Sequence, residues 1–428
     1  MENTAKENLT INKTDKPLSV EAPAHIQFRK LIFSVLNQLK GAWLEVIEGN
    51  QVVGFGEKDA ALSAQIIVRD SSFYKDVVVN GSIGASEAFL DQKWTSPDLT
   101  KVVQIMAKNQ DQLDKIENNI QWLSKLKNIF LRLKNANTET GAKRNILAHY
   151  DIGNDLYQRF LDPSMQYSSA IYSDQAQNLA QAQQNKMRTI CERLGLTSQD
   201  HVVEIGTGWG GLAIYMAQNY GCKVTTTTIS DAQYELAQAR VAELGLDDRI
   251  TLLKQDYRAL SGQYDKLVSI EMIESVGHEY LATFFATCSN LLKPDGKMLI
   301  QSITIADNRY DHYRKNTDFI QKHIFPGGCL PSLAEISRHV ASSTDMVIHQ
   351  VNDIGFHYAR TLKEWRVTFE SHWSELKTMG YSEEFKRLWL FYLCYCEGAF
   401  LERVISTQHI VARKPRYRGP EDETILDY

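Results

Sequence analysis

The chain has 428 residues, of which 43% are hydrophobic and 23% charged, and this length favours two domains over a single core. Its net charge of −5 at pH 7 argues against a nucleic-acid-binding protein, because such domains are usually basic. The six cysteines show neither C-x-x-C pairs nor zinc-like spacing to histidine, which predicts no metal site and is typical of reduced thiols in a cytoplasmic protein.

The first 23 residues are polar and contain no apolar run of the kind found in signal peptides. We predict a disordered leading segment over residues 1–23. Nowhere does the sequence reach the ~20 consecutive apolar residues of a membrane span, so any membrane contact is expected to be peripheral.

Residues 24–118 have the pattern of a small α/β domain. Trp43–Ile47 and Gln65–Arg69 alternate apolar and polar side chains as strands do. Asp98–Met106 has the pattern of a helix that begins near Pro97. This domain contains no recognisable catalytic constellation.

A basic amphipathic stretch and linker occupy residues 119–145. Apolar and cationic side chains alternate over Trp122–Arg144, which is typical of a helix lying on an anionic bilayer. An interdomain helix with a solvated basic face explains the same pattern, and the stretch by itself slightly favours this second interpretation. Asn135–Gly141 has the composition of a linker.

The remainder, residues 146–428, alternates apolar strand-like segments with helical runs. The strand-like segments include His201–Ile205, Lys223–Thr227, Lys266–Ile270 and Lys297–Gln301. This alternation predicts a doubly wound, mostly parallel α/β sheet.

A glycine-rich turn, Gly206–Gly211, follows the first of these strands. Its glycines permit a tight turn and a close approach of the backbone to a ligand, although an ordinary strand-to-helix turn explains them too. Glu204, near the strand end, can accept from an ammonium group, which S-adenosylmethionine has and a dinucleotide lacks. The second strand ends in Thr227–Ser230, without an acid for a dinucleotide ribose. The turn therefore favours S-adenosylmethionine.

Another strand-like run ends at Lys254–Arg258. Here Asp256 is a candidate to bind an adenine amino group, and Tyr257 a candidate to pack on the ring. A helix N-cap is the alternative role for Asp256.

Several short segments occur in an order that is specific to one family. They are His149–Tyr157, Leu161–Ser168, the glycine-rich turn, Thr228–Ser230 with Gln233, Phe325–Ser332 and Glu397–Phe400. Together they resemble the cyclopropane fatty acid synthases, over roughly residues 145–415 and more weakly in the N-terminal domain.

The resemblance implies a Rossmann-like class I methyltransferase with a seven-stranded, mostly parallel sheet beside the small N-terminal α/β domain. It implies methylene addition from S-adenosylmethionine across a cis double bond of a phospholipid acyl chain. The family's cofactor contacts map onto Tyr167, Ser168, Gly206, Gly208, Thr228, Gln233, Asp256 and Tyr257.

The chemistry sets its own requirements. An isolated alkene is a weak nucleophile, so it must meet the sulfonium methyl directly, and the transfer leaves a carbocation on the neighbouring carbon. The site needs exclusion of water, nearby aromatic faces and a base, but no serine or cysteine nucleophile. Loss of a proton from the new methyl closes a ring, whereas loss from elsewhere leaves a methylated alkene.

The resemblance also implies a bicarbonate base, whose ligands are altered here. Glu274 and Tyr358 are kept, but Ser169 replaces a cysteine, Gln301 replaces a histidine and Glu271 replaces a glycine. We predict that Glu271 occupies the bicarbonate position as an internal base, coupled to the second carboxylate. In the alternative, Glu271 lies outside the site and bicarbonate still binds.

Cys396 is a further candidate of the catalytic site, because it lies in the family's Cys-x-Gly-Ala-Phe segment. Direct transfer needs no nucleophile, so a buried structural thiol is the favoured interpretation. The aromatic residues Tyr150, Tyr310, Trp365 and Phe400 are candidates to line an acyl channel.

The leading hypothesis is a lipid-modifying methyltransferase, cytoplasmic and peripheral on the inner membrane face, that forms cyclopropanes. Methylation without ring closure is the alternative outcome, and a homodimer is left open. The rivals are a non-catalytic lipid-binding protein of the same fold and a methyltransferase for a small soluble acceptor. The intact glycine-rich turn and Glu274 argue against the first, and no polar acceptor-binding motif supports the second.

Overall fold

The computed structural model describes residues 23–111 and 153–419, with side chains from residue 26 onward. The predicted leading segment, the basic stretch 119–145, the start of the His149–Tyr157 motif and Tyr150 lie outside these residues. The predicted boundaries between these segments therefore stay predictions. No helix within the described ranges is both long and apolar enough to cross a bilayer.

The N-terminal unit is a four-stranded sheet with helices packed on it. Its elements are α1 (Pro23–Leu36), β1 (Trp43–Glu48), β2 (Gln51–Gly56), β3 (Ser63–Val68), α2 (Ser72–Leu90), β4 (Trp94–Thr95) and α3 (Leu99–Lys108). The strand order is β2-β1-β3-β4, with β1 parallel to β3 and antiparallel to β2. The two predicted strands are confirmed as β1 and β3, and the predicted helix as α3. Asp98 caps α3 by accepting from Lys101 N at 3.1 Å, so Pro97 precedes the helix.

The second unit follows the predicted alternation of strands and helices. Its elements are α4 (Asn154–Phe160), α5 (Leu179–Leu194), β5 (His201–Ile205), α6 (Gly211–Tyr220), β6 (Lys223–Thr228), α7 (Asp231–Glu243), β7 (Ile250–Lys254), β8 (Tyr264–Ile270), α8 (Leu281–Leu291), β9 (Leu292–Ile305), α9 (Asp307–Tyr313), α10 (Phe319–His323), α11 (Leu333–Ser343), β10 (Val347–Asp353), α12 (Gly355–Ser371), α13 (Trp373–Thr378), α14 (Glu383–Leu401) and β11 (Ile405–Arg413). Short 3₁₀ helices add Tyr257–Ala259, Ile273–Ser275 and His278–Tyr280.

These strands form a seven-stranded sheet of order β10-β11-β9-β8-β5-β6-β7. Only β11 runs antiparallel to its neighbours, so the predicted seven-stranded, mostly parallel sheet is confirmed. From β5 the chain builds the sheet outward first to β6 and β7, then on the other side to β8 and β9. Such a switch point leaves a crevice at the carboxyl ends of the strands, where ligands bind in open α/β sheets.

The two units pack together through α3 and α14 and share one apolar core. Gly398 of α14 lies so close to α3 that an added Cβ would be 2.7 Å from Val103 Cγ1. Beside it, the buried Glu397 carboxylate accepts from Thr100 Oγ1 and from Arg366 Nε, each at 3.1 Å. These contacts hold the N-terminal helices against the second unit.

Candidate active site

The glycine-rich turn after β5 opens into a cavity. Gly206 has φ +100° and Gly208 has φ +52°, both in the left-handed region that favours glycine. A Cβ on Gly206 would also lie 3.3 Å from the Met272 side chain. At Gly206 and Gly208 the turn therefore brings bare backbone to the edge of the cavity.

This cofactor cavity has a volume of about 160 Å³ and lies at the carboxyl ends of β5, β6, β7 and β8. All of the predicted cofactor-binding residues line it, namely Tyr167, Ser168, Glu204, Gly206, Gly208, Thr228, Gln233, Asp256 and Tyr257. The structure thus brings together residues spread over 91 positions of sequence, from 167 to 257. Their individual contacts with a cofactor stay predictions.

Glu204 is the buried acid of this cavity, with 2% of its surface exposed. Its Oε2 accepts from Thr226 Oγ1 at 2.6 Å, which orients the carboxylate. Burial raises the pKa of Glu204 to about 8, and the hydrogen bond from Thr226 and the charge of Lys186 only partly oppose this shift. An ammonium group on a ligand would restore the ionised form.

The sequence analysis missed a buried lysine beside the cofactor cavity. Lys186 of α5 is fully buried, and its Nζ donates to Gln166 Oε1 at 2.8 Å and to Ser168 Oγ at 2.7 Å. Burial lowers the pKa of Lys186 to about 8. A signal was present, because Lys186 stands one helical turn from both Ala182 and Ile190 on the apolar face of α5.

Asp256 takes the alternative role that the sequence allowed. Its carboxylate caps the 3₁₀ helix Tyr257–Ala259, accepting from Arg258 N at 2.9 Å, and pairs with Arg258 Nη2 at 2.6 Å. Burial alone would raise the pKa of Asp256, but the hydrogen bonds and charge of Arg258 outweigh it and hold the pKa below its usual value. The residue still lines the cofactor cavity, so the adenine contact stays a prediction.

A second, larger cavity of about 550 Å³ lies between the two units, and we call it the apolar cavity. Most of its lining is aliphatic or aromatic, contributed by α1, α2 and α3 on one side and by α12 and α14 on the other. It meets the cofactor cavity at Tyr167, Glu271 and Ser275, which line both. Glu274, Tyr358 and Cys396 also line it.

Glu271 lies at the junction of the two cavities with both carboxylate oxygens engaged. Oε1 accepts from Ser169 N at 3.0 Å and from Gln301 Nε2 at 2.6 Å, and Oε2 accepts from Tyr358 Oη at 2.7 Å. Burial raises the pKa of Glu271, although all three donors oppose this shift. The structure therefore joins the predicted residues Ser169, Gln301 and Tyr358 around the side chain that was predicted to replace bicarbonate.

Two details of this arrangement were not predicted. Ser169 contributes its backbone N–H, while its hydroxyl donates to Ala170 O at 3.0 Å. Glu271 itself has φ +50°, a left-handed conformation that costs a non-glycine residue roughly 1–2 kcal/mol. The position therefore suits glycine, and a glutamate there strains the backbone.

Glu274 follows on the 3₁₀ helix Ile273–Ser275, one turn beyond Glu271. Its Oε1 accepts from Ile303 N, and its buried Oε2 has no hydrogen-bond partner within the described chain. The Ser302 hydroxyl, which lies near this carboxyl group, donates to the Ile303 carbonyl at 3.1 Å. Burial and, next, the charge of Glu271 raise the pKa of Glu274 to about 8, so the protonated form of Glu274 is favoured near neutrality.

Comparisons with known proteins identify the family of the chain. The family model described as mycolic acid cyclopropane synthetase matches residues 137–410. The chain belongs to this cyclopropane synthase family. The expected resemblance is thereby confirmed, and with it a class I methyltransferase fold and an enzyme that depends on S-adenosylmethionine.

Two relatives match most of this cyclopropane synthase family member. A cyclopropane-fatty-acyl-phospholipid synthase of Escherichia coli is 40% identical over 353 residues, covering 81% of this chain and 87% of its own. A tuberculostearic acid methyltransferase of Mycobacterium tuberculosis is 36% identical over 352 residues, covering 81% and 82%.

Solved structures of the family also match. The cyclopropane synthase MmaA2 from Mycobacterium tuberculosis is 27% identical, with a TM-score of 0.59 over 64% of this chain and 98% of its own. The mycolic acid cyclopropane synthase CmaA1, complexed with SAH and CTAB, is 28% identical, with a TM-score of 0.60 and the same coverages.

Cys396 and one of the aromatic residues predicted for the acyl channel of this family member line the apolar cavity, whereas two others do not. Cys396 lines the apolar cavity, but burial raises the pKa of its thiol, which keeps it neutral and a poor nucleophile. Phe400 lines the cavity and stacks on Tyr358 at 4.6 Å between ring centroids. Tyr310 and Trp365 are not part of the lining, so the prediction was wrong for these two residues.

The sequence analysis also missed the aromatic wall around Tyr167. The hydroxyls of Tyr167 and Tyr392 lie 2.8 Å apart, and Phe325 has its ring centroid 6.5 Å from that of Tyr167. Both Tyr392 and Phe325 line the apolar cavity. Phe325 opens the Phe325–Ser332 motif, so its position in a family segment was the available signal.

Proposed function

We propose that the protein transfers the methyl carbon of S-adenosylmethionine to the double bond of an unsaturated acyl chain in a membrane phospholipid. The observation that carries this proposal is the junction of the cofactor cavity with the apolar cavity at Tyr167, Glu271 and Ser275. A sulfonium methyl held in the first cavity would face an alkene held in the second, with a carboxylate beside both. Holding the two reacting carbons close together and aligned in this way lowers the activation barrier for methyl transfer.

The apolar cavity suits an acyl chain because its lining is mostly apolar and is aromatic near the junction with the cofactor cavity. A carbocation intermediate is stabilised by aromatic faces and destroyed by water. Tyr167, Phe325, Tyr358 and Phe400 present rings to this end of the cavity. Cofactor and substrate would therefore meet where a cation is best tolerated.

Glu271 is the base in this proposal. Its carboxylate sits where three donors converge and borders the junction, so it can take the proton that leaves the methylated chain. If that proton comes from the new methyl group, the ring closes, and we propose a cyclopropane as the product. Glu274, whose pKa is raised by burial and by the charge of Glu271, would stay protonated beside the ionised Glu271.

A methylated alkene is the second candidate product. A base tethered to the backbone is confined to one point, so it removes whichever proton the seated chain presents there. A neighbouring chain carbon offers such a proton as well as the new methyl does. The relationship to a tuberculostearic acid methyltransferase also supports this candidate.

Peripheral contact with the inner membrane face is part of the proposal. The lining of the apolar cavity includes exposed residues, among them Leu31 at 38% and Val79 at 53% exposure. The exposed His312 adds a polar side chain to the same rim. A rim that combines apolar and polar side chains suits the bilayer surface, from which an acyl chain must enter.

The product assay combines purified protein, methyl-labelled S-adenosylmethionine and vesicles of a dioleoyl phospholipid. We expect label in the acyl chain and shielded upfield ring protons in the NMR spectrum of the product. Vinyl protons with a new methyl signal would establish the second candidate, because mass alone does not separate the isomers. Saturated vesicles are the control, and no lipid label with dioleoyl vesicles would contradict the proposal.

Filling the apolar cavity from the N-terminal unit is expected to impair use of the lipid without affecting the cofactor. Val77 of α2 lines the cavity, so V77W should lower kcat/KM for dioleoyl vesicles about 10-fold, the effect of 1–3 kcal/mol of overpacking. The affinity for S-adenosylmethionine, measured by calorimetry, should not change. V52W on β2, where Val52 is 59% exposed and outside the lining, is the matched control. Equal kcat/KM for V77W and V52W would place the acyl chain elsewhere.

A further inference from the structure

A line of side-chain hydrogen bonds leads from α5 to the carboxylate of Glu271. Arg193 Nη1 lies 2.6 Å from His409 Nδ1, and His409 Nε2 lies 2.8 Å from Gln301 Oε1. Gln301 Nε2 then lies 2.6 Å from Glu271 Oε1. His409 and Gln301 are completely buried, while Arg193 is partly exposed.

The direction of each bond follows from the chemistry of Arg193. A guanidinium can only donate, so His409 Nδ1 must be the acceptor. Burial and, next, the charges of Arg193 and Lys186 hold the pKa of His409 well below its usual range, so the ring is neutral. A neutral ring with an acceptor at Nδ1 carries its proton on Nε2, and this N–H donates to Gln301 Oε1.

The orientation of the Gln301 amide is thereby determined. Because its oxygen accepts from His409, its NH₂ group faces Glu271 and donates to the carboxylate. The opposite orientation would place an amide oxygen against a carboxylate oxygen, which is repulsive. The proton on His409 Nε2 and the Glu271 carboxylate therefore select the same orientation, and Arg193 places that proton on Nε2.

The fold brings these residues together through strand register. Gln301 on β9 and His409 on β11 are direct partners in the antiparallel pair, so their side chains share one face of the sheet. Arg193 lies near the C-terminus of α5, the helix whose Lys186 binds the Ser168 hydroxyl. One helix therefore supports both the cofactor cavity and the base.

We propose that Arg193 and His409 are positioning residues for the reaction. They hold the Gln301 N–H toward Glu271, so that the carboxylate is ionised and aimed at the junction of the two cavities. This proposal rests on the proposed role of Glu271 as the base. It adds that the tautomer of His409 determines which donor faces the Glu271 carboxylate. The guanidinium of Arg193 determines that tautomer.

The kinetic test uses R193M and H409L, which remove the donor and the ring. We expect kcat on dioleoyl vesicles to fall on the order of 10- to 100-fold, as for a slightly misplaced catalytic group. KM for S-adenosylmethionine should stay within about twofold. The line of hydrogen bonds from Arg193 ends at Glu271, and none of these bonds reaches the predicted cofactor contacts. H409Q should recover most of kcat, since a glutamine offers an N–H and an oxygen. R188M is the matched control, because Arg188 is exposed on the same helix and pairs with Glu192.

The spectroscopic test reads the tautomer itself. Ring ¹⁵N spectra of the wild type should contain a neutral histidine protonated at Nε2, which disappears in H409Q and loses its tautomeric preference in R193M. A His409 protonated at Nδ1 in the wild type would overturn the proposal. So would an unchanged kcat in R193M, the variant that retains the buried core even if H409L does not fold.

The two proposals fail differently. If the wild type puts no label into dioleoyl vesicles, the proposed function is wrong, whereas the ¹⁵N spectra still decide the hydrogen-bond direction. If the wild type is active and R193M matches it, only the positioning proposal is wrong.

Discussion

Replacing Glu271 with glycine is expected to make product formation depend on added bicarbonate. A positioned base contributes about 10²- to 10⁴-fold to a rate, so E271G without bicarbonate should lose activity on that scale. Removing the side chain leaves the Ser169 N–H, the Gln301 amide and the Tyr358 hydroxyl facing an empty anion-sized space. Added bicarbonate should occupy it and restore part of the rate, measured as label transferred to dioleoyl vesicles in bicarbonate-free and bicarbonate-containing buffer.

Backbone conformation makes this a clean substitution. Glu271 has φ +50°, so glycine relieves strain, and loss of activity would not arise from misfolding. Q92G is the matched control, because Gln92 has φ +62° at an exposed position of the N-terminal unit. E271Q should lose activity with or without bicarbonate, since the amide still fills the space. Full activity of E271G in bicarbonate-free buffer would eliminate Glu271 as the base.

Replacing Glu204 with glutamine is expected to weaken S-adenosylmethionine binding by on the order of 10- to 100-fold at pH 7.5, the value of a hydrogen bond to a charged group. The loss should shrink toward pH 6. Burial raises the pKa of Glu204 to about 8, so below pH 8 the side chain must release a proton before it can pair with an ammonium group. Falling pH therefore lowers the affinity of the wild type for S-adenosylmethionine, because deprotonating Glu204 costs more free energy. The affinity of E204Q should not change with pH.

Calorimetry from pH 6 to pH 7.5 provides the measurement. The wild-type affinity should rise about 10-fold per pH unit between pH 6 and pH 7, and binding should release a proton to the buffer. E204Q should show neither effect. E243Q is the control, because Glu243 is exposed at the end of α7. A wild-type affinity independent of pH would mean that Glu204 does not pair with the ligand.

The cofactor half of the site was predictable from the sequence for a geometric reason. In a parallel sheet every strand delivers the residues at its carboxyl end to the same edge, so strand order hardly matters. Glu204, the glycine-rich turn, Thr228 and Asp256 each end a strand or follow one directly. Once the strands were recognised, their meeting at one cavity followed, and the structure brings them all there.

The residues beside the apolar cavity were predicted from the order of the family motifs more than from hydrophobic periodicity. Family segments pointed to Glu271, Glu274 and Tyr358, but not to the contacts among them. Their grouping relies on packing between distant elements, since 87 residues separate Glu271 from Tyr358 and 102 separate it from Ser169. Hydrophobic patterns indicate which face of an element is buried, not which element covers it.

By itself, the sequence determined the fold class and the position of the cofactor turn, and it pointed to the glutamate at position 271 as a candidate base. Those features depend on local periods, short motifs and side-chain chemistry. Only the tertiary structure decided that the N-terminal unit lines the apolar cavity, and that Arg193 reaches Glu271 through His409 and Gln301. Both results depend on helix docking and strand register, which are set by contacts between residues far apart in the chain.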